Sequence, residues 1–161
     1  MLLETRQFGP MEITDDDILR FPKGILGFEE LERYVIIDHV DSQPFRWLQC
    51  VEAPDLAFVV VNPLVFFPDY RVEVHAKEVV DIGVNNPRDV EILVIVTIPP
   101  QIEQMAVNLQ GPILINATNR TAKQLVLTNS EYTVQHSITE QLSRIQKLKE
   151  RPSVATVELT R

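Results

Sequence analysis

The sequence of 161 residues predicts a mainly β fold: a small antiparallel β-barrel or sandwich-like domain with short helices and one C-terminal amphipathic helix. Three observations lead to this prediction. Short runs rich in Val, Ile and Thr recur along the chain, which is typical of strands. Turn-forming residues separate these runs at close intervals, as in antiparallel sheets. Strand-like runs do not alternate with long helical segments, so a parallel sheet is not expected.

Six segments are predicted as strands: 33–38, 57–62, 71–76, 90–98, 111–116 and 123–128. The third of them alternates Val72 and Val74 with Arg71 and Glu73, which predicts one buried face and one exposed face. The fourth is apolar except for Glu91 and Thr97, so we expect it at the centre of the sheet.

Helix is predicted in only a few places. Residues 14–17 are expected to form a single capped turn, and residues 29–34 another. Residues 137–140 read Ser-Ile-Thr-Glu, a capping-box pattern. Four apolar residues then recur at helical spacing before Pro152: Ile138, Leu142, Ile145 and Leu148. This stripe either packs on the barrel or forms an arm that binds a partner. We therefore divide the chain into a β domain over 1–137 and a C-terminal helix and tail over 138–161, packed on the domain or extending from it.

The charge of the chain is unevenly distributed. The net charge is −8, and residues 1–100 hold 8 Lys and Arg against 18 Asp and Glu. An acidic body disfavours nucleic acid as a direct partner, because binding to phosphates needs clustered Lys and Arg. It suits a basic protein partner, although acidity alone also keeps a protein soluble.

The compartment is predicted from three features. A single cysteine, Cys50, excludes a disulfide framework and suits a reducing environment, where it is expected to be a buried small residue. The first nine residues contain acid and base where a signal peptide needs an apolar run. Apolar runs stay well short of the roughly 20 residues of a membrane span. A cytoplasmic protein without membrane contact is expected.

Residues 21–28 read FPKGILGF and contain two of the five glycines. A phosphate-binding loop is not expected, because Gly-Lys-Ser/Thr is missing and Ile25 and Leu26 would crowd the backbone N–H groups. We predict instead that Gly24 and Gly27 adopt positive φ in two tight turns and that Ile25 and Leu26 form an apolar plug between them.

Catalytic, cofactor-binding and metal-binding residues are not predicted. None of the three histidines, His39, His75 and His136, lies in a zinc-binding pattern, and a GxSxG nucleophile motif is missing. Residues 15–17 are three aspartates without the spacing of a calcium loop. Residues 64–70 read LVFFPDY, an aromatic cluster that suits either a core or a protein interface. Trp47 has the same two interpretations.

From about residue 3 to 138 the order of segments resembles the bacterial flagellar assembly factor FliW family. The most specific segments are 23–28 (KGILGF) and 108–116 (NLQGPILIN), with the aromatic segment between them. The resemblance implies a compact β fold in which the motif residues are structural: Gly24, Gly27, Phe28, Asn108, Gly111, Pro112 and Asn116. Gln135 stands where an arginine is expected in many relatives, and 138–161 extends beyond the family core.

The resemblance also implies a function. FliW-like proteins are cytoplasmic and non-enzymatic, need no cofactor, and bind flagellin and the basic translational regulator CsrA. Flagellin and CsrA compete for the protein in a partner switch that controls flagellin translation, so the protein is both chaperone and CsrA antagonist. A monomer is expected. We place the CsrA contact on the acidic and aromatic surface around Phe67, Pro68, Asp69, Tyr70 and Glu73.

Two other classes stay open at this point. One is a small-molecule-binding β-barrel or minor enzyme whose ligand enters the barrel mouth. Convergent polar groups in a pocket would favour it, whereas a filled barrel with an acidic outer patch would favour the binding protein. The other is a structural subunit that forms a stable oligomer through the C-terminal helix.

Overall fold

The structure is a computed structural model that describes residues 1–127, 132, 136–138 and 156–160, with the backbone alone described at 102, 136 and 156–160. The strands in this part of the chain are β1 (Leu2–Leu3), β2 (Met11–Glu12), β3 (Ile18–Arg20), β4 (Arg33–Ile37), β5 (Arg46–Cys50), β6 (Ala57–Val61), β7 (Arg71–His75), β8 (Val90–Thr97), β9 (Ala106–Val107), β10 (Ile113–Asn116), β11 (Thr121–Gln124), β12 (His136–Ser137) and β13 (Thr156–Thr160). The short helix α1 is Ala76–Val79, and 3-10 turns lie at Asp15–Asp17, Val40–Ser42, Pro63–Val65, Val80–Ile82, Pro87–Asp89 and Ile102–Gln104.

Seven strands close into a barrel in the order β3-β4-β5-β6-β8-β10-β11, and β11 returns to β3. Neighbouring strands are antiparallel, except that β11 meets β3 in parallel at Thr121 and Arg20. β8 pairs with β6, β9 and β10, which confirms the central position expected for this apolar segment. The predicted mainly β fold is therefore confirmed, and its form is a closed barrel.

The barrel interior is filled with apolar side chains. Along β8, Leu93 faces inward with Leu48 of β5 and Ile113 of β10, whereas the residues on either side of Leu93 face an outer layer. The alternation follows from the pleat of a strand, which points successive side chains to opposite faces. The buried interior side chains are Leu19, Phe21, Ile25, Tyr34, Leu48, Cys50, Val60, Leu93, Ile113, Ile115 and Ala122. The buried position predicted for Cys50 is confirmed.

Two outer layers cover the barrel on different sides. The β1–β2 hairpin lies over β3, β4 and β5, where Leu3 and Ile13 pack against Ile18 and Val35. The segment from Pro63 to Val84 lies over β6, β8 and β10, and it includes β7 and α1. The alternation predicted for β7 is confirmed, since Val72 and Val74 are buried and Arg71 and Glu73 are exposed.

Arg46, Asp38 and Glu91 form an ion-pair cluster near one end of the barrel, at strand positions that alternate in phase with the interior side chains. The Arg46 guanidinium donates to both carboxylate oxygens of Asp38, at 2.7 and 3.2 Å, and to Oε1 of Glu91 at 2.6 Å. Burial works against the charge of Arg46, yet the hydrogen bonds and negative charges of Asp38 and Glu91 outweigh it and raise the pKa of the guanidinium. The cluster pins the starts of β5 and β8 to the end of β4.

The elements match the sequence predictions at several points and differ at others. The turn predicted at residues 14–17 is present, and the Thr14 N–H donates to Asp17 Oδ2 at 2.8 Å. The turn predicted over 29–34 is wrong in its second half, because β4 already begins at Arg33, where pairing with β3 and β5 holds the chain extended. β5 and the shorter strands were not among the predicted segments. The predicted C-terminal helix lies outside the described residues, apart from Ile138, which is buried in the outer core.

Candidate functional site

The aromatic segment 64–70 forms a tight turn that leads into β7. The N–H of Phe67 donates to Pro63 O at 2.9 Å, and the N–H of Tyr70 donates to Phe67 O at 3.0 Å. Asn62 caps the turn, since its side-chain oxygen accepts from Leu64 N at 2.9 Å. These bonds lie within the segment and fix the shape of the turn, whose tip is at the surface.

Tyr70 anchors this segment from below. Its side chain is buried, and its hydroxyl donates to Leu109 O at 2.7 Å. Its ring packs against Tyr132 with 4.7 Å between ring centroids. Burial, and to a smaller extent the neighbouring Tyr132, raises the pKa of Tyr70. Tyr70 thus ties the aromatic segment to the loop before β10.

The other predicted contact residues differ in exposure. Pro68 and Asp69 are exposed at the tip of the turn, Glu73 is exposed on β7, and Phe67 is half-buried. The surface available to a partner is therefore the Pro68–Asp69 tip with Glu73, and Tyr70 supports it from beneath. Further exposed charges follow along the chain, with acids at Glu78 and Asp81 and bases at Arg71 and Lys77.

The FPKGILGF loop closes the barrel at one end. Gly24 and Gly27 have φ of 66° and 89°, as predicted. A Cβ atom on Gly24 would lie 2.5 Å from Glu29 Cα, so the backbone passes too closely for a side chain. Ile25 is buried and forms the predicted plug, but Leu26 is 60% exposed, so its assignment to the plug was wrong. Successive residues in so tight a turn point in different directions, and only one of them enters the barrel.

The two sequence motifs meet through one residue that the sequence analysis did not single out. Gln124, at the end of β11, accepts from Leu26 N at 3.0 Å and donates to Gly111 O at 3.1 Å. Asn108 organises the second motif, because its side-chain oxygen accepts from Gln110 N and Gly111 N. A local sequence pattern cannot reveal this link, because the two hydrogen bonds join residues that are 98 and 13 positions apart in the sequence.

A second unpredicted cluster joins the same loop to the outer layer. Lys23 Nζ lies 3.2 Å from Asp81 Oδ2, and Lys123 Nζ lies 3.1 Å from the same oxygen. Lys123 also donates to Glu78 O at 2.6 Å. Burial works against ionisation of Asp81, but the hydrogen bonds and charges of Lys123 and Lys23 outweigh it and hold the pKa of the carboxyl below its usual 3.8.

Because of the Asp81 cluster, the free energy of unfolding is expected to depend on pH in the acid range. Because the folded-state pKa lies below the unfolded value, the stabilisation is complete above about pH 4 and is lost as the pH falls through the folded-state pKa. Asp81→Asn is expected to lower the free energy of unfolding by about 1 kcal/mol at pH 7, since the carboxylate is partly exposed and screened. Urea titrations of wild type and variant at pH 7 and pH 3 should show the difference shrinking in acid. Asp55→Asn, at an exposed surface turn, is the control, and a loss for Asp81→Asn that stays constant with pH would contradict the assignment.

A surface cleft of about 430 Å³ lies beside Glu91 and is lined by Asn62, Arg88, Asp89, Val90, Glu91, Ile92, Ala117 and Thr118. Several of its polar atoms already have partners in the chain. Asn62 caps a turn, Glu91 binds Arg46, and the carbonyl of Asp89 accepts from Ala117 N. These three lining groups therefore already serve contacts within the chain.

Within the described part of the chain, His, Cys, Asp and Glu side chains do not come together in any group of three or more that would hold a metal ion. The helices of that part are too short to cross a membrane.

The comparisons with known proteins agree with each other. The family model described as FliW protein matches residues 2–138. Flagellar assembly factor FliW of Alkaliphilus metalliredigens is 38% identical over 156 residues, covering 96% of both chains. The protein of the same name from Caldanaerobacter subterraneus is 43% identical over 143 residues, covering 88% of this chain and 95% of its own.

A solved structure supports the same assignment. The crystal structure of the flagellar assembly factor FliW superposes with a TM-score of 0.80 at 34% identity, covering 86% of this chain and 96% of the other. The similarity therefore includes both fold and sequence over nearly the whole length of the related protein.

Proposed function

The chain belongs to the FliW family of flagellar assembly factors, and from this premise we propose that it binds flagellin and the translational regulator CsrA as alternative partners. Free protein sequesters CsrA and relieves repression of flagellin translation. Flagellin that accumulates in the cytoplasm occupies the protein and releases CsrA. The mechanism is competitive occupancy, and it needs no catalysis, cofactor or direct contact with nucleic acid.

The observation that carries the proposal is the filled barrel. Among the described residues, eleven buried side chains occupy its interior, so the residues available for recognition lie on the outside. A small-molecule-binding barrel needs an internal or mouth cavity with convergent polar groups. In the cleft beside Glu91, the side chains of Asn62 and Glu91 and the carbonyl of Asp89 are already bonded within the chain. A binding protein with an external recognition surface accounts for this arrangement better than a ligand-binding barrel or a minor enzyme does.

We place the CsrA contact at Pro68, Asp69 and Glu73, with Phe67 at its edge and Tyr70 as its support. The two carboxylates suit a basic partner, because complementary charge raises the rate of association and fixes orientation. The turn that presents Asp69 is held by backbone bonds and by the Tyr70 hydroxyl, so it changes little on binding. A preordered tip of this kind suits a protein interface.

Titration calorimetry tests the partner switch. The protein is titrated with CsrA of the same organism at low and moderate salt, with and without flagellin. We expect binding that weakens as salt rises and disappears when flagellin is present. Absence of binding to both partners would overturn the proposal and favour the ligand-binding barrel.

Charge reversal tests the surface. Asp69→Lys with Glu73→Lys is expected to weaken CsrA binding about tenfold or more at low salt, mainly through a slower association rate. The matched control is Glu4→Lys with Asp16→Lys, which makes the same change of charge at exposed positions in the N-terminal part of the chain. Equal CsrA affinities for the two double variants, with both folded, would show that the contact lies elsewhere.

A further inference from the structure

β7 lies outside the barrel sheet and is paired with a distant part of the chain. Among the described residues, its ladder partner is β13, close to the C-terminus, and the two strands run parallel. The register runs from Thr156 opposite Arg71 to Thr160 opposite His75. β13 also approaches the turn Pro87–Asp89. The edge of β7 is therefore covered by a segment more than 80 residues away in sequence.

The pattern of β13 matches that of β7. The segments read TVELT and RVEVH, and both place apolar residues at every second position. Val157 is in register with Val72 and Leu159 with Val74. Val72 and Val74 are buried in the outer core. The edge of β7 therefore pairs with an extended segment that has apolar residues at every second position.

The pairing also contains an unfavourable position. Glu158 is in register with Glu73, and like charges at opposed positions weaken strand pairing. A strand of five residues that is paired with one other strand, as β13 is among the described residues, opens at a low cost in free energy. Exposed strand edges are also sites where a segment of another protein adds to a sheet.

We propose that the edge of β7 is a strand-acceptor site, at which residues 156–160 are a displaceable occupant that competes with an extended segment of the basic partner. The inference rests on the proposed function, since β7 carries Glu73 and follows directly after the Pro68–Asp69 tip. The C-terminal strand lowers the affinity for CsrA by occupying the edge. Its departure exposes a row of backbone donors and acceptors beside the acidic contact.

The first test measures the pairing itself, without a partner. Val157→Pro with Glu158→Pro removes two successive N–H groups, and because these alternate between the two edges of a strand, one of them must face β7. We expect the β7 amides that face β13 to exchange with deuterium at least tenfold faster. Glu158→Gln removes the charge opposite Glu73 and keeps every backbone group, so exchange is expected to slow. Unchanged exchange of the β7 amides in the double-proline variant would overturn the proposal.

A peptide in trans provides a second readout that needs no CsrA. A fluorescent peptide of residues 153–161 is expected to bind the full-length double-proline variant and to bind the wild-type chain at least tenfold more weakly. The same peptide carrying both prolines is the control and is expected to bind neither. Equal binding of the wild-type peptide to both proteins would show that the edge of β7 is not its site.

CsrA titrations then test the competition. The double-proline variant is expected to bind CsrA about three- to tenfold more tightly than wild type, and Glu158→Gln more weakly. Equal CsrA affinities of all three proteins would overturn the competition. If none of them binds CsrA while the peptide binds the double-proline variant, the strand-acceptor site is supported and the assignment of CsrA as partner is wrong.

Discussion

Gly24→Ala is expected to lower the free energy of unfolding by about 3 kcal/mol or more, because a positive φ and a close backbone approach coincide at this residue. At φ 66° an L side chain is strained, and its Cβ would lie 2.5 Å from Glu29 Cα and 2.7 Å from Glu29 C and O. These are backbone atoms, which cannot turn aside as a flexible side chain does. Relief requires movement of the loop that plugs the barrel with Ile25.

Gly27→Ala is the matched control for this prediction. Gly27 has φ 89°, but a Cβ atom there meets nothing within 4 Å. Only the conformational strain remains, so a loss of about 1 to 2 kcal/mol is expected. Urea denaturation followed by the fluorescence of Trp47, the single tryptophan, measures both variants. Equal losses of stability at the two positions would contradict the close approach of a Gly24 Cβ atom to the Glu29 backbone. A Gly24→Ala variant that does not fold, beside a Gly27→Ala variant that does, would agree with it.

The sequence predicted the features that local pattern determines. The almost continuous apolar run from Ile92 to Val96 identified β8 as the central strand, and alternation identified the buried face of β7. Sparse glycines beside bulky residues indicated turns with positive φ at Gly24 and Gly27. Each of these depends on a few neighbouring residues, so the pattern can be read without knowledge of the fold.

β5 was missed because its polar residues hide the strand pattern. Arg46 is accommodated in the sheet by Glu91, which is 45 residues away in sequence. Gln49 is accommodated by the carbonyls of residues 50–56, which come close only because the chain turns back after β5. The strands β1, β2, β9 and β12 have two residues each and are too short for a periodic signal. Their positions follow from tertiary pairing.

The candidate surface was only partly predictable for the same reason. Residue type indicated an interface-like segment at 64–70, but it did not separate buried Tyr70 from exposed Asp69. That separation follows from long-range contacts of Tyr70, whose hydroxyl donates to Leu109 O and whose ring packs against Tyr132. Likewise, Asp81 showed no local sign of its two lysine partners, one of which is 58 residues before it in the chain and the other 42 after it.

Gln49→Glu is expected to be the most damaging near-isosteric change in the protein. Gln49 is buried, and its Nε2 amide lies within hydrogen-bond distance of four carbonyl oxygens, those of Cys50, Ala53, Pro54 and Leu56, at 3.1 to 3.3 Å. Replacing the donor with a carboxylate oxygen sets a negative charge against four carbonyl dipoles. Burying an uncompensated charge is costly, and we expect a loss of about 3 kcal/mol or more at pH 7.

Two further variants separate the effect of charge from the loss of the donor. Gln49→Leu removes the amide without adding charge, and a smaller loss of about 1 to 3 kcal/mol is expected, because three of the four carbonyls keep a backbone donor from Arg6, Cys50 or Leu56. Gln101→Glu adds the same charge at an exposed position and is expected to change stability by less than about 0.5 kcal/mol.

The pH dependence makes the Gln49 prediction specific. A carboxyl buried among carbonyl oxygens has a raised pKa, since burial and the absence of donors both disfavour its ionised form. The penalty of Gln49→Glu is therefore largest above that folded-state pKa and falls as the pH is lowered towards the ordinary pKa of glutamate, where the neutral acid donates one hydrogen bond. Urea titrations at pH 7.5 and 5 should show Gln49→Glu approaching Gln49→Leu in acid. A pH-independent gap between them would mean that the 50–56 loop opens and hydrates the carboxylate.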